Sequence, residues 1–340
     1  MFRLDDLGRD ALGEPVDLAT DLGLHALQQR QIERRLGGVS DQAKDRQGVL
    51  VARKRAVLIA GPTASGKSAL ALAKARELGG SIVNTDALQV YDGLRLITAR
   101  PGDADLAQAP HLLYGTVEPA VRFSTGDWVR AAERIIAEAG DRPLIFAGGT
   151  GLYFESLIKG FAEVPEVPDE VVAEVEREVA GLDRDERGRL IAARDPVIAA
   201  RLKAPDPQRV TRALAVLKAT GRSLATFQDA EHAPLLEGWE VERLVLNPER
   251  EVLRERIARR FVAMLEEGAA EEVEAFVGRG LDPSLPAMKA IGVREIGDWL
   301  AGRCTREEMV ARAVTATRQY AKRQRTWFRS RMADWTWVES

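Results

Sequence analysis

Short apolar runs alternate with helix-like segments in the first half of the chain. Residues 56–60, 81–84 and 143–147 have the length and composition of buried parallel strands. Helices are predicted at 67–78 and at 128–139, each followed by a glycine that can end it. Strands that alternate with helices in this way predict an α/β fold, a parallel sheet with helices on both faces.

The pattern changes after Gly160. Residues 169–220 are rich in arginine and glutamate and predict helices without a strand. A helix should start at Asp206-Pro207 and end at Gly221. Residues 241–246 then alternate like a strand that returns to the main sheet, and the chain is predicted helical from 249 to 327.

These elements predict three regions. A catalytic core is expected from 53–160 together with 241–340, the latter ending in basic helices. A helical insertion subdomain is expected at 161–240. Residues 1–52 mix acidic and basic residues and are expected to form a mobile extension.

Composition narrows the possible functions. No run approaches the roughly 18 apolar residues that span a bilayer, so no membrane segment is expected. The single Cys304 fits a reducing cytoplasm, and three scattered histidines give no zinc spacing, so a bound metal would be a hard ion held by oxygen. Without an obvious coiled coil, a monomer is expected.

One segment fits the phosphate-binding pattern G-x-x-x-x-G-K-[ST], and it follows a predicted strand and precedes a predicted helix. Backbone amides and the helix N-terminus would surround phosphate oxygens, a lysine would add a charge, and a serine hydroxyl would ligate Mg²⁺. The segment is Gly61, Pro62, Thr63, Ala64, Ser65, Gly66, Lys67 and Ser68. We call it the P-loop below.

Two further residues are placed beside the P-loop by the strand order. Asp86 follows the second strand and could act as a metal ligand or a general base. Thr150 follows the third strand through Gly148-Gly149, and its hydroxyl could stabilise charge on a leaving phosphate. No carboxylate follows that strand, so nucleotide hydrolysis is not favoured.

The C-terminal region carries concentrated positive charge. Residues 309–333 contain no acidic residue, although the formal net charge of the chain is −3. Arg318, Lys322, Arg325 and Arg329 recur at helical spacing on one face, which suits a phosphate backbone. The adjacent Trp327-Phe328 pair could stack on bases or pack internally, and the segment as a whole favours RNA binding.

Six ordered motifs resemble the tRNA dimethylallyltransferase family, from about residue 55 to 337. They begin at Gly61 (GPTASGKS), Asn84 (NxDxxQVY), Thr98 (TARP), Gly148 (GGTGLYF), Asp206 (DPQR) and Thr317 (TRQYAKRQ). The resemblance implies transfer of a dimethylallyl group from dimethylallyl diphosphate to N6 of adenine 37 in the tRNA anticodon stem-loop, with Mg²⁺.

The resemblance also implies roles for individual residues. The P-loop would hold the diphosphate, with Lys67 and Arg260 neutralising its charge, Asp86 would be the base, and Thr150 would hydrogen-bond the bridging oxygen. The tRNA would contact Asp86, Ala87, Leu88, Gln89, Gln208, Arg209, Val210, Thr211, Arg212, Thr317, Arg318, Gln319, Lys322 and Arg323. Ala87 stands where family members commonly have serine, so no contact is assigned to its side chain.

Three alternatives stay open. The chain could prenylate free AMP, ADP or ATP, although a free nucleotide would not need the basic helix. It could be a kinase that binds ATP at the P-loop, or an NTPase that binds nucleic acid without transferring a prenyl group. Each alternative predicts a nucleotide at the P-loop or as the acceptor, where the resemblance predicts a prenyl diphosphate and a tRNA.

Overall fold

The computed structural model describes residues 53–339, so the expected extension at 1–52 lies outside the described residues. Six strands of this part of the chain form one parallel sheet in the order β3-β2-β4-β1-β5-β6. The strands are β1 Arg55–Ala60, β2 Ser81–Asn84, β3 His111–Leu112, β4 Leu144–Gly148, β5 Glu240–Leu246 and β6 Thr336–Val338.

Helices connect the strands and occupy most of the remaining described chain. Those of the first half are α1 Lys67–Leu78, α2 Asp103–Leu106, α3 Thr125–Glu138, α4 Gly151–Lys159, α5 Asp169–Val179, α6 Arg184–Arg194 and α7 Pro196–Ala199. They are followed by α8 Pro207–Thr220, α9 Leu224–Gln228, α10 Arg250–Glu266, α11 Ala269–Val277, a 3₁₀ turn Ala287–Lys289, α12 Val293–Leu300 and α13 Arg306–Arg331. The α/β fold expected from the sequence is confirmed.

The four predicted strands are present as β1, β2, β4 and β5, but the sequence did not predict β3 and β6. These two strands are only two and three residues long, and both lie at edges of the sheet. Their residues are exposed or half-buried, so they lack the continuous apolar run that marks the central strands.

Three helix boundaries show how local residues fix the elements. α1 and α8 have the predicted bounds because Gly79 and Gly221 adopt left-handed conformations, with φ 63° and 68°, that end them. α3 begins at Thr125, earlier than the predicted residue 128, because the Ser124 side chain accepts a hydrogen bond from the Asp127 amide and caps the helix there.

The sheet is buried on both faces. Val57 and Ile59 of β1 pack with residues of α1 on one face. Leu58 and Phe146 belong to neighbouring strands at matched positions, point to the opposite face and are also fully buried. Burial on both sides explains why these strands are apolar throughout.

The chain divides into two compact units. The first contains the described residues up to Phe154 and those from Gly238 onward, and the second is Glu155–Glu237. The second unit has its own core of residues from α5 to α9, including Val175, Ile191 and Leu214. No helix in the described chain is both long and apolar enough to cross a membrane.

Candidate active site

The P-loop connects β1 to α1 and turns the chain back sharply. Ala64 and Gly66 both adopt left-handed conformations, with φ 63° and 90°. Left-handed residues that alternate with others along a turn point backbone amides into a shared concavity that binds anions. The N-terminus of α1 begins at Lys67 and adds its positive dipole end to the same concavity. The geometry is that of a phosphate-binding loop.

Lys67 lies within this loop and its ammonium donates a hydrogen bond of 2.8 Å to the Pro62 carbonyl. Burial lowers the pKa of Lys67 to about 8, the nearby Asp86 carboxylate opposes that shift, and Arg260 adds to it. At neutral pH the lysine therefore remains mostly protonated, but a modest rise in pH would discharge it.

Three arginines of α10 line the space opposite the P-loop: Arg256, Arg259 and Arg260. The Arg260 guanidinium donates to the Thr63 hydroxyl, and its pKa is lowered by burial and raised by Asp86. Of these three arginines, only Arg260 was predicted, from the family resemblance. Arg256 lies four residues before Arg260 and three before Arg259, a helical spacing that the sequence did contain.

Asp86 is fixed at the carboxyl end of β2 by local hydrogen bonds. The buried Asn84 accepts from the Asp86 amide at 2.8 Å and donates to the Asp86 carbonyl at 3.0 Å. One carboxylate oxygen, Oδ1, accepts from the Leu88 amide at 3.0 Å. The other oxygen, Oδ2, lies beside Gly149.

Thr150 follows β4 and is joined to the segment that carries Asp86. Its amide donates to the Thr85 carbonyl at 3.0 Å, and its hydroxyl oxygen accepts from the Ala87 amide at 3.0 Å. Because the hydroxyl accepts here, its hydrogen is free to be donated elsewhere. Thr150 itself is not among the residues that line the cavity described next, although Ala147 and Gly148 are.

A cavity of about 590 Å³ brings these groups together. The P-loop from Thr63 to Ser68, Asp86 and the α10 arginines form its polar walls. Its apolar lining includes Leu88, Ile97, Ile257, Phe261, Met264 and Ile291. Such a cavity suits a ligand with an anionic head and a small hydrocarbon group.

Two tyrosines that the sequence analysis did not assign also line the cavity. Burial, and then the Asp86 charge, raise the pKa values of Tyr114 and Tyr320 above the ordinary phenol range. Both therefore stay neutral and can donate hydrogen bonds at physiological pH. Tyr320 stands inside the TRQYAKRQ motif, whereas Tyr114 carried no signal in the sequence.

Ser68 is the exposed P-loop residue predicted to hold a metal ion. Ser68 lines the same cavity as Asp86. Among residues 53–339, no group of three or more His, Cys, Asp or Glu could hold a metal. These residues fit a Mg²⁺ ion that Ser68 would hold together with phosphate oxygens and water, since this ion keeps several of its waters when it binds at phosphate sites.

The residues predicted to contact RNA in the first unit fall into two main sets. Asp86, Leu88, Gln89 and Thr317 line the cavity, whereas the half-buried Ala87 does not. The Gln89 side-chain nitrogen donates to the Thr98 and Ala99 carbonyls at 2.8 and 3.0 Å, so the protein itself uses this amide. The remaining residues lie exposed on α13: Arg318, Gln319, Lys322 and Arg323.

The structure favours internal packing over base stacking for the aromatic pair on α13. Phe328 is fully buried and belongs to the core, so it is not a platform for a base. Trp327 packs against the backbone of Gly151 and remains half-buried. Arg318, Lys322 and Arg329 are exposed and Arg325 is half-buried, consistent with the predicted basic face.

In the second unit, the structure removes one residue from the predicted RNA surface. Val210 on α8 has no exposed surface and contributes to that unit's core. Gln208, Arg209 and Arg212 are exposed on the same helix, and Thr211 is half-buried. Val210 was assigned together with its neighbours on the family resemblance, but helical periodicity turns its side chain inward.

Comparisons with known proteins agree on one family. The sequence profile described as IPP transferase matches residues 89–331, and a second profile, isopentenyl transferase, matches 54–118. The chain is 51% identical over 288 residues to the tRNA dimethylallyltransferase of Methylobacterium sp. (strain 4-46), covering 84% of this chain and 94% of that protein. It is 49% identical to that of Chelativorans sp. (strain BNC1), with 83% and 98% covered.

Two solved structures are also similar. The full-length tRNA isopentenylpyrophosphate transferase of Bacillus halodurans is 32% identical, with a TM-score of 0.60, covering 84% of this chain and 90% of that one. A eukaryotic dimethylallyltransferase acting on tRNA is 26% identical, with a TM-score of 0.68, covering 81% of this chain and 70% of that one.

Proposed function

Because the chain belongs to the IPP transferase family, we propose that it transfers a dimethylallyl group from dimethylallyl diphosphate to tRNA. The proposed acceptor is N6 of adenine 37, beside the anticodon, and the product is N6-(dimethylallyl)adenosine. The cavity is the main observation that supports this proposal. It combines a phosphate loop, cationic side chains, an apolar wall and one carboxylate within about 590 Å³.

The diphosphate is the leaving group. The P-loop amides, Lys67 and Arg260 bind its oxygens, and their positive charge stabilises the negative charge that grows as the carbon–oxygen bond breaks. The Thr150 hydroxyl, which accepts from the Ala87 amide, can donate to the bridging oxygen once substrate is bound. A Mg²⁺ ion held by Ser68 would add charge neutralisation at the diphosphate.

The adenine nitrogen is the nucleophile. As N6 forms its bond to the dimethylallyl carbon, the electron pair of the carbon–oxygen bond leaves with the diphosphate. N6 then carries a surplus proton, which Asp86 Oδ2 accepts. Asn84 and the Leu88 amide hold this carboxylate in place, so no reorganisation is needed when the proton moves.

The RNA must present an unstacked base to a cavity. Extruding a nucleotide costs a few kcal/mol, which contacts elsewhere on the RNA must offset. We propose that the exposed cations of α13, including Arg318, Lys322 and Arg323, bind phosphates of the anticodon stem-loop. Gln208, Arg209 and Arg212 on α8 are proposed to contact the same tRNA. We propose a monomeric, cytoplasmic enzyme.

The proposal is tested by incubating the protein with unmodified tRNA, labelled dimethylallyl diphosphate and Mg²⁺. Label on tRNA that digests to N6-(dimethylallyl)adenosine is the expected result. Parallel reactions contain AMP, ADP or ATP in place of tRNA, and a third series measures ATP turnover with and without RNA. Label only on free nucleotides, or ATP turnover without prenylation, would overturn the proposal.

A further inference from the structure

Gln324 on α13 is a buried polar residue that connects distant parts of the site. Only 6% of its surface is exposed. Its side-chain oxygen Oε1 accepts a hydrogen bond of 2.9 Å from the Thr63 amide of the P-loop. Its nitrogen Nε2 donates one of 3.0 Å to the Gly149 carbonyl. Both ends of the amide are therefore used, as a buried polar group requires.

Each end of the Gln324 side-chain amide binds a segment that has a role in the proposed reaction. Thr63 is the P-loop residue whose hydroxyl accepts from Arg260. The Gly149 carbonyl immediately precedes Thr150, whose hydroxyl accepts from the amide that follows Asp86. One side chain thus ties the diphosphate loop to the segment that bears the leaving-group hydroxyl and, through it, to the base.

The space around Gln324 depends on the absence of a side chain at Gly149. A Cβ on this residue would overlap with Gln324 Nε2, and its next nearest neighbour outside Gln324 would be Asp86 Oδ2 at 3.4 Å. Gly149 has no left-handed φ that would demand glycine for conformational reasons. The Gln324 amide is therefore the group that a side chain at position 149 would displace.

We propose that Gln324 is a positioning residue for prenyl transfer, an inference that rests on the proposed function. It fixes the P-loop and the Gly149–Thr150 segment to the helix whose opposite, exposed face carries the RNA-binding cations. Gln324 touches no reacting atom itself. Since one end must accept and the other must donate, neither glutamate nor methionine can replace it.

Gln324→Met and Gln324→Glu test the proposal, with Gln108→Met on the exposed surface as the matched control. For Gln324→Met, we expect the single-turnover rate at saturating tRNA to fall by about 10- to 100-fold, as for other groups that orient a site. Its affinity for inorganic pyrophosphate should also fall, whereas its tRNA affinity should stay near that of the wild type. The melting temperature should fall as well, because two buried hydrogen bonds are lost.

The glutamate variant gives a readout that loss of stability would not produce. An ionised carboxylate accepts from the Thr63 amide but repels the Gly149 carbonyl, and only the protonated acid restores the donor. The rate of Gln324→Glu relative to wild type should therefore recover as the pH is lowered. Gln324→Met, which has no titratable group, should show no such recovery.

Combining substitutions tests the contact directly. Gly149→Ala alone should slow the reaction, because the new Cβ displaces the Gln324 amide. In a Gln324→Ala background the same substitution should cost little more, since the overlapping atoms are gone. Losses that multiply would show that the two residues act independently.

The outcomes separate this inference from the proposed function. Wild-type rate and pyrophosphate affinity in Gln324→Met, or a selective loss of tRNA affinity, would overturn the role of Gln324 while prenylation by the wild type stands. The wild type could also fail to prenylate tRNA while Gln324→Met still weakened pyrophosphate binding. That result would refute the proposed function but support the role of Gln324 in positioning the P-loop. If Gln324→Met did not fold, the pH profile of Gln324→Glu and the Gly149→Ala cycle would decide.

Discussion

Asp86→Asn is the substitution that removes the proposed proton acceptor while keeping the local structure. The asparagine oxygen can still accept from the Leu88 amide, the 3.0 Å hydrogen bond that Oδ1 makes now, so the segment should keep its conformation. What is lost is the oxygen that accepts the N6 proton. A general base contributes about 10²- to 10⁴-fold, which corresponds to roughly 3 to 5 kcal/mol of transition-state stabilisation.

The same substitution has an electrostatic consequence with a definite sign. The Asp86 carboxylate raises the pKa of Lys67, opposing the effect of burial, so its removal should lower that pKa further below about 8. Lys67 of the variant should then lose its proton at a lower pH than in the wild type. The affinity of the variant for inorganic pyrophosphate should therefore also decline at a lower pH.

The assay is a single-turnover prenylation with saturating tRNA and dimethylallyl diphosphate, and Asp103→Asn on the exposed start of α2 is the control for removing one carboxylate. We expect the rate to fall by about 100-fold or more in Asp86→Asn, with tRNA affinity unchanged. A normal rate in Asp86→Asn, or a loss confined to tRNA binding, would refute the assignment of Asp86 as the base.

Three further predictions concern charge and stability. For the wild type, affinity for inorganic pyrophosphate should be full well below about pH 8 and decline as the pH rises through that value, because Lys67 discharges, whereas Lys67→Arg should bind without this decline up to pH 10. Arg318→Ala should weaken tRNA binding and reduce the slope of log affinity against log salt by about one. Trp128→Phe should lower the free energy of unfolding by about 1 to 3 kcal/mol in urea denaturation, because it removes the 2.9 Å bond from the indole to the buried Asn84 carbonyl.

Each of these predictions has a control and a contradicting result. The pH series is compared with Lys54→Arg outside the site, and a decline that persists in Lys67→Arg would mean that another group titrates. Arg130→Ala on the exposed face of α3 should leave the salt slope unchanged, and an unchanged slope in Arg318→Ala would remove that residue from the RNA surface. Trp239→Phe, at a half-buried position, should cost less than Trp128→Phe, and equal losses would contradict the role of the buried bond.

The sequence predicted the elements whose signals are local. Continuous apolar runs identified β1, β2, β4 and β5, and glycines placed the ends of α1 and α8. β3 and β6 were missed because each has only two or three residues and lies at an edge of the sheet. They are strands because they pair with β2 and β5, and such pairing cannot be predicted from a local sequence pattern.

The same distinction between local signals and long-range contacts applies to the residues of the candidate site. The P-loop motif and the position of Asp86 after a strand were visible in the sequence, since both depend on neighbouring residues. Tyr114 and Gln324 were not assigned because their roles depend on contacts across the chain. Gln324 lies 261 residues from Thr63 and 175 from Gly149. The lowered pKa of Lys67 likewise follows from burial that only the folded protein creates.

The identity of the ligand in the cavity is the central claim, and equilibrium titration tests it most directly. Dimethylallyl diphosphate is titrated into the protein with Mg²⁺, alone and with excess ATP. We expect the prenyl diphosphate to bind in both cases, with Lys67→Met abolishing its binding and ATP competing poorly. Tight binding and turnover of ATP that dimethylallyl diphosphate cannot displace would contradict the account.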